Sequence, residues 1–383
     1  MSTVSARPRR DPPGPARSPR LARMPLKVMV VDDSITARTV HTRIVTGDDD
    51  MSVVAIAGTA EQAIHLLGEV RVDVILLDLD MPGIGGLDAL PGIIAAARGA
   101  RIMVVSALTV DGAEQTLAAL AQGAADTLPK PVAGTFNEAY RETLRGKIRA
   151  LAGASAQRAR VNPTLPSSPI PALRAGSGRR PQVLAIGAST GGIHALGQLF
   201  GALPKRVALP VLVTQHLPAS FMPVFARQLE TISGCEALVA EDDTGLVPGR
   251  ILVAPGDAHL TVWRQGEAVR IRLDRSPAPS GCTPSVDPMF ASLAEVYGAD
   301  TLGVVLSGMG RDGAIGAAKI VAAGGALFAQ DEASCAVWGM PRAVTEAGLA
   351  YAVLPPDQIA LRIAASLRAA NAGVPSSKGA ACK

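Results

Sequence analysis

Two long stretches of this chain alternate short apolar runs with helix-like segments, and a proline-rich stretch parts them. That rhythm constrains the fold more than any other feature. A short strand followed by a helix-length crossover returns to its sheet in parallel. Over residues 26–147 the apolar runs are Leu26–Val31, Ser52–Ala57, Val72–Leu77, Arg101–Val105 and Asp126–Leu128. They predict a doubly wound five-stranded parallel sheet with helices on both faces. Residues 148–180 lose the rhythm; Pro163, Pro166, Pro169 and Pro171 among Ser, Gly and Arg read as a solvated linker. The pattern resumes over 181–372. Candidate strands there are Val183–Ile186, Pro210–Thr214, Arg250–Ala254, Gly303–Leu306 and Ala326–Ala329, again mostly parallel α/β. Residues 1–25 read as a disordered extension and 373–383 as a flexible tail.

The length of 383 residues suits two domains and a linker. The net charge of +4 gathers largely in the Arg/Pro-rich first 23 residues and the linker, so no nucleic-acid partner is expected. No apolar run is long enough to span a bilayer, and the N-terminus lacks the apolar centre of a signal peptide. Its Arg and Pro content, nearly free of acids, is also that of a transit peptide. Disorder, or a start placed ahead of Met24, is the preferred reading. Cys235, Cys282, Cys335 and Cys382 are widely spaced, with no disulfide framework or metal-ligand spacing, which fits a reducing cytoplasm.

In the first stretch, chemistry-bearing residues stand at strand ends. Asp32 and Asp33 follow Val28–Val31, Asp78 follows Val74–Leu77, Ser106 follows Met103–Val105, and Lys130 follows the fifth strand. A parallel sheet gathers such residues on one edge. Three carboxylates there repel one another unless a hard cation joins them, and Mg²⁺ fits. Helix capping by Asp32 and Asp33, with Asp78 in a turn, is the plainer reading of each alone. Five residues at four strand ends outweigh it.

These motifs, with Leu77-Asp78-Leu79-Asp80-Met81-Pro82-Gly83 and Leu128-Pro129-Lys130-Pro131, resemble the receiver domain of two-component response regulators, a flavodoxin-like fold. The resemblance implies that Asp78 is the phosphoacceptor. It implies that Asp32, Asp33 and Asp78 serve Mg²⁺, Asp32 largely through water and with help from the Asp80 carbonyl. Ser106 and Lys130 would then read the phosphoryl group. Two positions depart: Thr127 stands where the family often has an aromatic, and Gly85-Gly86 where it usually has Asp-Gly.

In the second stretch, Gly187-Ala188-Ser189-Thr190-Gly191-Gly192 breaks the strand Val183–Ile186 before a helix-like run. A serine in such a turn is lifted out of the core near free backbone N–H groups. It needs a base, and the base needs an orienting acid. His216 follows the strand ending at Gln215 and lies on the same predicted sheet edge. His194 is one turn into the helix, where reaching back is awkward, and His259 reads as a polar turn residue. Asp312, in Leu306–Ala314, follows another strand; a helix N-cap is its bland reading, and beside Ser189 and His216 the acid role is favoured. The segment Gly308–Gly310 and the N–H groups after Ser189 are candidate oxyanion donors. A dinucleotide fold is disfavoured because no acid lies between Pro181 and Leu229, and a P-loop because its Lys-Ser/Thr ending is missing. The order Ser, His, Asp differs from that of α/β-hydrolases.

That order resembles the catalytic domain of the chemotaxis protein-glutamate methylesterases, the CheB family. The same resemblance extends to Gln215-His216-Leu217-Pro218, Ala254–Leu260, Pro284-Ser285-Val286-Asp287, Ser307–Ala314 and Gly339-Met340-Pro341. It implies a Rossmann-like catalytic domain with Ser189, His216 and Asp312 as its triad and no cofactor for hydrolysis. It implies a cytoplasmic hydrolase that cleaves glutamyl methyl esters on chemoreceptors, deamidates receptor glutamines, and is phosphorylated by a chemotaxis histidine kinase. A receiver-gated binding or scaffold protein without hydrolase activity is the competing expectation.

Overall fold

The computed structural model describes residues 24–106, 109–130, 136–160, 180–205 and 207–369. Residues 1–23, most of the expected linker and the tail from 370 lie outside that set.

The first domain runs β1 (Leu26–Val31), α1 (Ile35–Thr46), β2 (Met51–Ala57), α2 (Ala60–Glu69), β3 (Val74–Asp78), α3 (Gly86–Ala96), β4 (Arg101–Ser106), α4 (Val110–Gln122), β5 (Asp126–Pro129) and α5 (Glu138–Arg160). Its strands order as β2-β1-β3-β4-β5, all parallel. The strands are apolar on both faces because helices cover both; every residue of β3 is buried. Ser34, Thr59 and Thr109 cap α1, α2 and α4 by accepting a backbone N–H three residues on. The boundary expected at 147 falls inside α5. Ile148, Leu151 and Ala152 are buried in the same cluster as Val28, Leu76 and Met103, so the last helix runs to Arg160 and any linker begins after it.

The second domain runs β6 (Val183–Ala188), α6 (Gly192–Ala202), β7 (Val211–Gln215), α7 (Met222–Ser233), β8 (Glu236–Val239), β9 (Arg250–Val253), β10 (His259–Gln265), β11 (Ala268–Asp274), α8 (Val286–Tyr297), β12 (Thr301–Val305), α9 (Ala314–Ala322), β13 (Ala326–Gln330), α10 (Met340–Glu346), β14 (Ala352–Leu354) and α11 (Pro356–Ala369). Seven strands form a parallel sheet, β14-β13-β12-β6-β7-β9-β8, and β10 and β11 form a separate antiparallel hairpin. From β6 the chain steps one way to β7 and later the other way to β12. Ser189, just past β6, therefore stands at the point where strand order reverses, the usual place for a site in an open α/β sheet. The hairpin is absent from the sequence expectations, as are β8 and β14. These edge elements are short or half-exposed and lack the continuous apolar runs that mark the central strands.

The two domains share one interface. Helix α4 packs on α6, α7 and the 3₁₀ turn Ala219–Phe221. Its Ala113 and Leu117 lie in the same buried cluster as Leu217 and Phe221. Around this apolar patch are polar ties. Arg227 pairs with Glu114 at 2.7 Å, His194 Nδ1 lies 3.1 Å from the Ala121 carbonyl, and the Arg101 guanidinium donates to the Cys335 carbonyl at 3.3 Å.

Candidate active site

In the first domain the carboxylates of Asp32, Asp33 and Asp78 lie within 4.8 Å of one another. The first two follow β1, and the third closes β3 rather than following it. Lys130 Nζ stands 2.5 Å from Asp78 Oδ2 and 3.5 Å from Asp32 Oδ2. Burial pushes the Asp78 carboxyl up to about 6; Lys130 opposes that shift and the Asp32 charge adds to it. Burial alone would lower the Lys130 ammonium, but its bonds and attraction to Asp78 and Asp32 hold it raised. Three hard oxygen donors, two of them buried and mutually repelling, fit a small divalent cation. Gly85 and Gly86 are demanded by the backbone at this rim: Gly85 has φ +75°, and a Cβ on Gly86 would stand 2.3 Å from the Asp78 carbonyl oxygen. Ser106 is buried, and its hydroxyl accepts from Thr116 of α4 at 2.6 Å. Thr127 is buried in β5, its hydroxyl lacking a hydrogen-bond partner among the described residues.

In the second domain, three neighbouring strand ends carry the site. The sheet's hydrogen bonding extends one residue beyond β6 on both sides: Ser189 N–H donates to the Ser307 carbonyl and His216 N–H to the Ala188 carbonyl. This brings His216 Nδ1 to 3.1 Å from Ser189 Oγ, and His216 Nε2 to 2.8 Å from Asp312 Oδ2. Gly191, with φ +77°, lets the chain turn from β6 into α6; a Cβ there would meet the Ala336 Cβ at 2.3 Å. Asp312 is not the cap of α9, whose N-cap is Gly313.

Several residues without a role in the sequence reading complete the arrangement. Ser285 Oγ–H donates to Asp312 Oδ1 at 2.6 Å, and the Val286 N–H donates to Oδ2 at 2.8 Å. Gln215 Nε2 donates to the Ser189 carbonyl at 2.9 Å. His259 is a correction: it follows the turn at Gly256–Asp257 but itself opens β10, is 1% exposed, accepts the Ser285 N–H on Nδ1 and donates from Nε2 to the Ser276 carbonyl. It braces Ser285, which braces Asp312. The signals for these residues in the sequence are their places in the motifs Gln215–Pro218, Ala254–Leu260 and Pro284–Asp287. Gly308 is also corrected as an oxyanion donor, because its N–H already serves the Val337 carbonyl.

These contacts set the electrostatics. Burial would raise the Asp312 carboxyl, but hydrogen bonds from His216, Ser285 and the Val286 N–H outweigh it and depress it to about 2. Burial would lower the His216 imidazole. The hydrogen bonds and charges of Asp312 and Cys282 outweigh it, raising His216 to about 9. The arrangement can move a proton from a hydroxyl to an imidazole held by a carboxylate, the chemistry of acyl transfer. Next to it, Thr190 Oγ1–H donates across the domain interface to Asp126 Oδ2 at 2.7 Å, and Lys147 Nζ meets the same oxygen at 2.6 Å.

Comparison with known proteins adds an independent line. Residues 184–363 match the family described as CheB methylesterase, and residues 28–136 match the response regulator receiver domain. A protein-glutamate methylesterase/protein-glutamine glutaminase of Azospirillum brasilense is 40% identical over 387 aligned positions, covering 94% of this chain and 97% of the relative. One from Caulobacter vibrioides is 42% identical, covering 90% and 99%. The crystal structure of the Thermotoga maritima CheB methylesterase catalytic domain is 37% identical, with TM-score 0.47, covering 48% of this chain and 98% of that one.

Proposed function

This chain belongs to the CheB methylesterase family and carries a receiver domain ahead of the methylesterase domain, and from that premise we propose that it is a phosphorylation-regulated protein-glutamate methylesterase. Its substrates are γ-glutamyl methyl esters on chemoreceptors, and receptor glutamines are deamidated at the same site. The observation that carries this reading is the relay Ser189–His216–Asp312 across three adjacent strand ends, with separations of 3.1 and 2.8 Å.

Ser189 Oγ attacks the ester carbonyl while His216 Nδ1 takes its proton. Asp312 holds the Nε2–H and stabilises the imidazolium. As the tetrahedral intermediate collapses, the C–O bond to methoxide breaks, and the proton on Nδ1 leaves with it as methanol. Water then attacks the acyl-serine, gives its proton to the same nitrogen, and releases the glutamate carboxyl and free Ser189. A glutamine presents the same carbonyl and releases ammonia, so deamidation needs no further residues. Hydrolysis requires no cofactor. Met309 and Gly310, with Thr190, are the backbone N–H groups proposed to face the oxyanion.

Regulation rests on the interface. The receiver covers the Ser189 side of the sheet through α4, and phosphorylation of Asp78 by a chemotaxis histidine kinase loosens it. Asp32, Asp33 and Asp78 would hold Mg²⁺, which supplies charge neutralisation for the phosphoryl group. Lys130 pairs with that group, and Ser106 turns toward it, giving up its bond to Thr116 of α4. Among the described residues no helix is long and apolar enough to cross a membrane. The proposed setting is the cytoplasm, with no nucleic-acid partner.

The test is methanol release from methylated receptor membranes with and without a phosphodonor. Phosphodonor-stimulated release that disappears in Ser189→Ala and in His216→Ala supports the reading. A protein that binds receptor but neither releases methanol nor reacts with a serine-directed probe would instead be a receiver-gated binding module.

A further inference from the structure

Cys282 has no part in the relay, yet its sulfur shares the same small volume. Donor atoms of His216, Cys282 and Asp312 all lie within 4.8 Å of one another. One imidazole nitrogen, one thiol and one carboxylate make a mixed set that suits Zn²⁺, unlike the all-oxygen pocket of the first domain. We propose that Zn²⁺ binds His216, Cys282 and Asp312 and reversibly inhibits this enzyme by removing its general base.

The geometry selects the nitrogen. His216 Nδ1 faces Ser189, and Nε2 faces Asp312, so a metal shared with Asp312 and Cys282 binds Nε2. Nε2 and Oδ2 are 2.8 Å apart. Two ligands on one tetrahedral zinc, with bonds near 2.0–2.1 Å, stand about 3.4 Å apart, so they need to part by roughly half an ångström. Cys282 can follow, because it sits in the loop between β11 and α8 beside Gly281, which has φ +70° and open space around it. The carboxylate is already oriented by Ser285 and the Val286 N–H, the kind of outer support that metal-binding carboxylates carry. A cavity of about 670 Å³, lined by Cys282, Met309 and Asp312, opens at this point and supplies an entry path with room for a fourth ligand from solvent.

Charge and protons also balance. A thiolate and a carboxylate offset the dication, so the bound site is neutral where Asp312 has no exposure to spare. Starting from imidazolium, binding forms three metal–ligand bonds and releases the proton on Nε2, while Sγ binds as thiolate and any proton it carries leaves to solvent. The proton left on the ring is then on Nδ1. That atom can only donate to Ser189 and cannot accept its proton, so attack stops. Metal binding needs the three side chains alone, whereas its inhibitory effect rests on the esterase reading.

The experiment uses full-length protein stripped by chelator and kept in excess Mg²⁺ to fill the oxygen site. Co²⁺ and Zn²⁺ are titrated in turn. Expected are one Co²⁺ per chain with a thiolate-to-cobalt charge-transfer band, displacement of that band by Zn²⁺, and ester hydrolysis that Zn²⁺ suppresses and chelator restores. Cys282→Ser is expected to lose the band and to need at least tenfold more Zn²⁺ for the same suppression; Cys282→His, which returns a ligand, regains Zn²⁺ sensitivity without the band. Absence of the band in the unaltered protein, or its persistence in Cys282→Ser, overturns the metal site. A band accompanied by no serine-probe labelling of metal-free protein would leave the metal site standing and count against the esterase.

Discussion

Thr190, the residue after the candidate nucleophile, hydrogen-bonds through its side chain to Asp126 in the other domain, at 2.7 Å and away from solvent. A hydrogen bond to a charged, buried acceptor contributes about 1.5–3 kcal/mol. It therefore ties the receiver to the loop that carries Ser189. Asp126→Asn keeps the shape and weakens the bond to a neutral one. Methanol release by the unphosphorylated variant is expected to rise several-fold, with little change once phosphorylated. An unaltered basal rate would remove this contact from the proposed inhibition.

The raised imidazole of His216 has consequences for pH. As the proposed base, His216 must be neutral to accept the Ser189 proton, so with a value of about 9 only about 1% of it is in the competent form at pH 7. The rate is expected to climb close to tenfold per pH unit and level off near 9, as read from hydrolysis of a small ester or from serine-probe labelling. The sign for stability is opposite. A raised folded-state value favours the fold while the ring is charged; that stability is complete below the ordinary imidazole value of about 6.5 and is lost as pH rises through about 9. A rate flat between pH 7 and 9 would contradict the assignment.

Ser285 is a positioning residue. Ser285→Ala removes the donor that fixes Asp312 Oδ1, so the carboxylate turns away from His216 and its hold on the imidazolium weakens. Ester hydrolysis is expected to fall roughly 10–100-fold in kcat with little change in KM. The midpoint of the pH profile should move downward, and Ser285→Thr should restore it. A purely structural role would leave that midpoint in place.

Asp78 is held ionised against its burial. Its carboxyl is raised to about 6, so the folded state is weakened as pH rises from about 4 through 6. At pH 7 in metal-free buffer, Asp78→Asn is expected to stabilise the protein by roughly 1–3 kcal/mol. Mg²⁺ should raise the Tm of the unaltered chain more than that of the variant. Calorimetry with and without Mg²⁺ checks both, and equal Mg²⁺ shifts would argue against the three-carboxylate site.

Much of this was legible along the chain. Apolar runs with crossovers announce parallel sheets, and a parallel sheet puts residues at strand ends on one edge. Hence Asp32, Asp78 and Lys130 could be gathered from spacing, as could Ser189, His216 and Asp312. Other relations were decided in three dimensions. The burial of His259, the Ser285–Asp312 bond, the approach of Cys282 to His216 and the Thr190–Asp126 tie join segments with no shared period. The extension of α5 past 147 depends on Ile148 and Leu151 finding a core. Local sequence encodes the direction in which backbone and side chains repeat. Which hydroxyl, thiol or carboxylate meets a given partner follows from how separate elements pack, and that information belongs to no single stretch of residues.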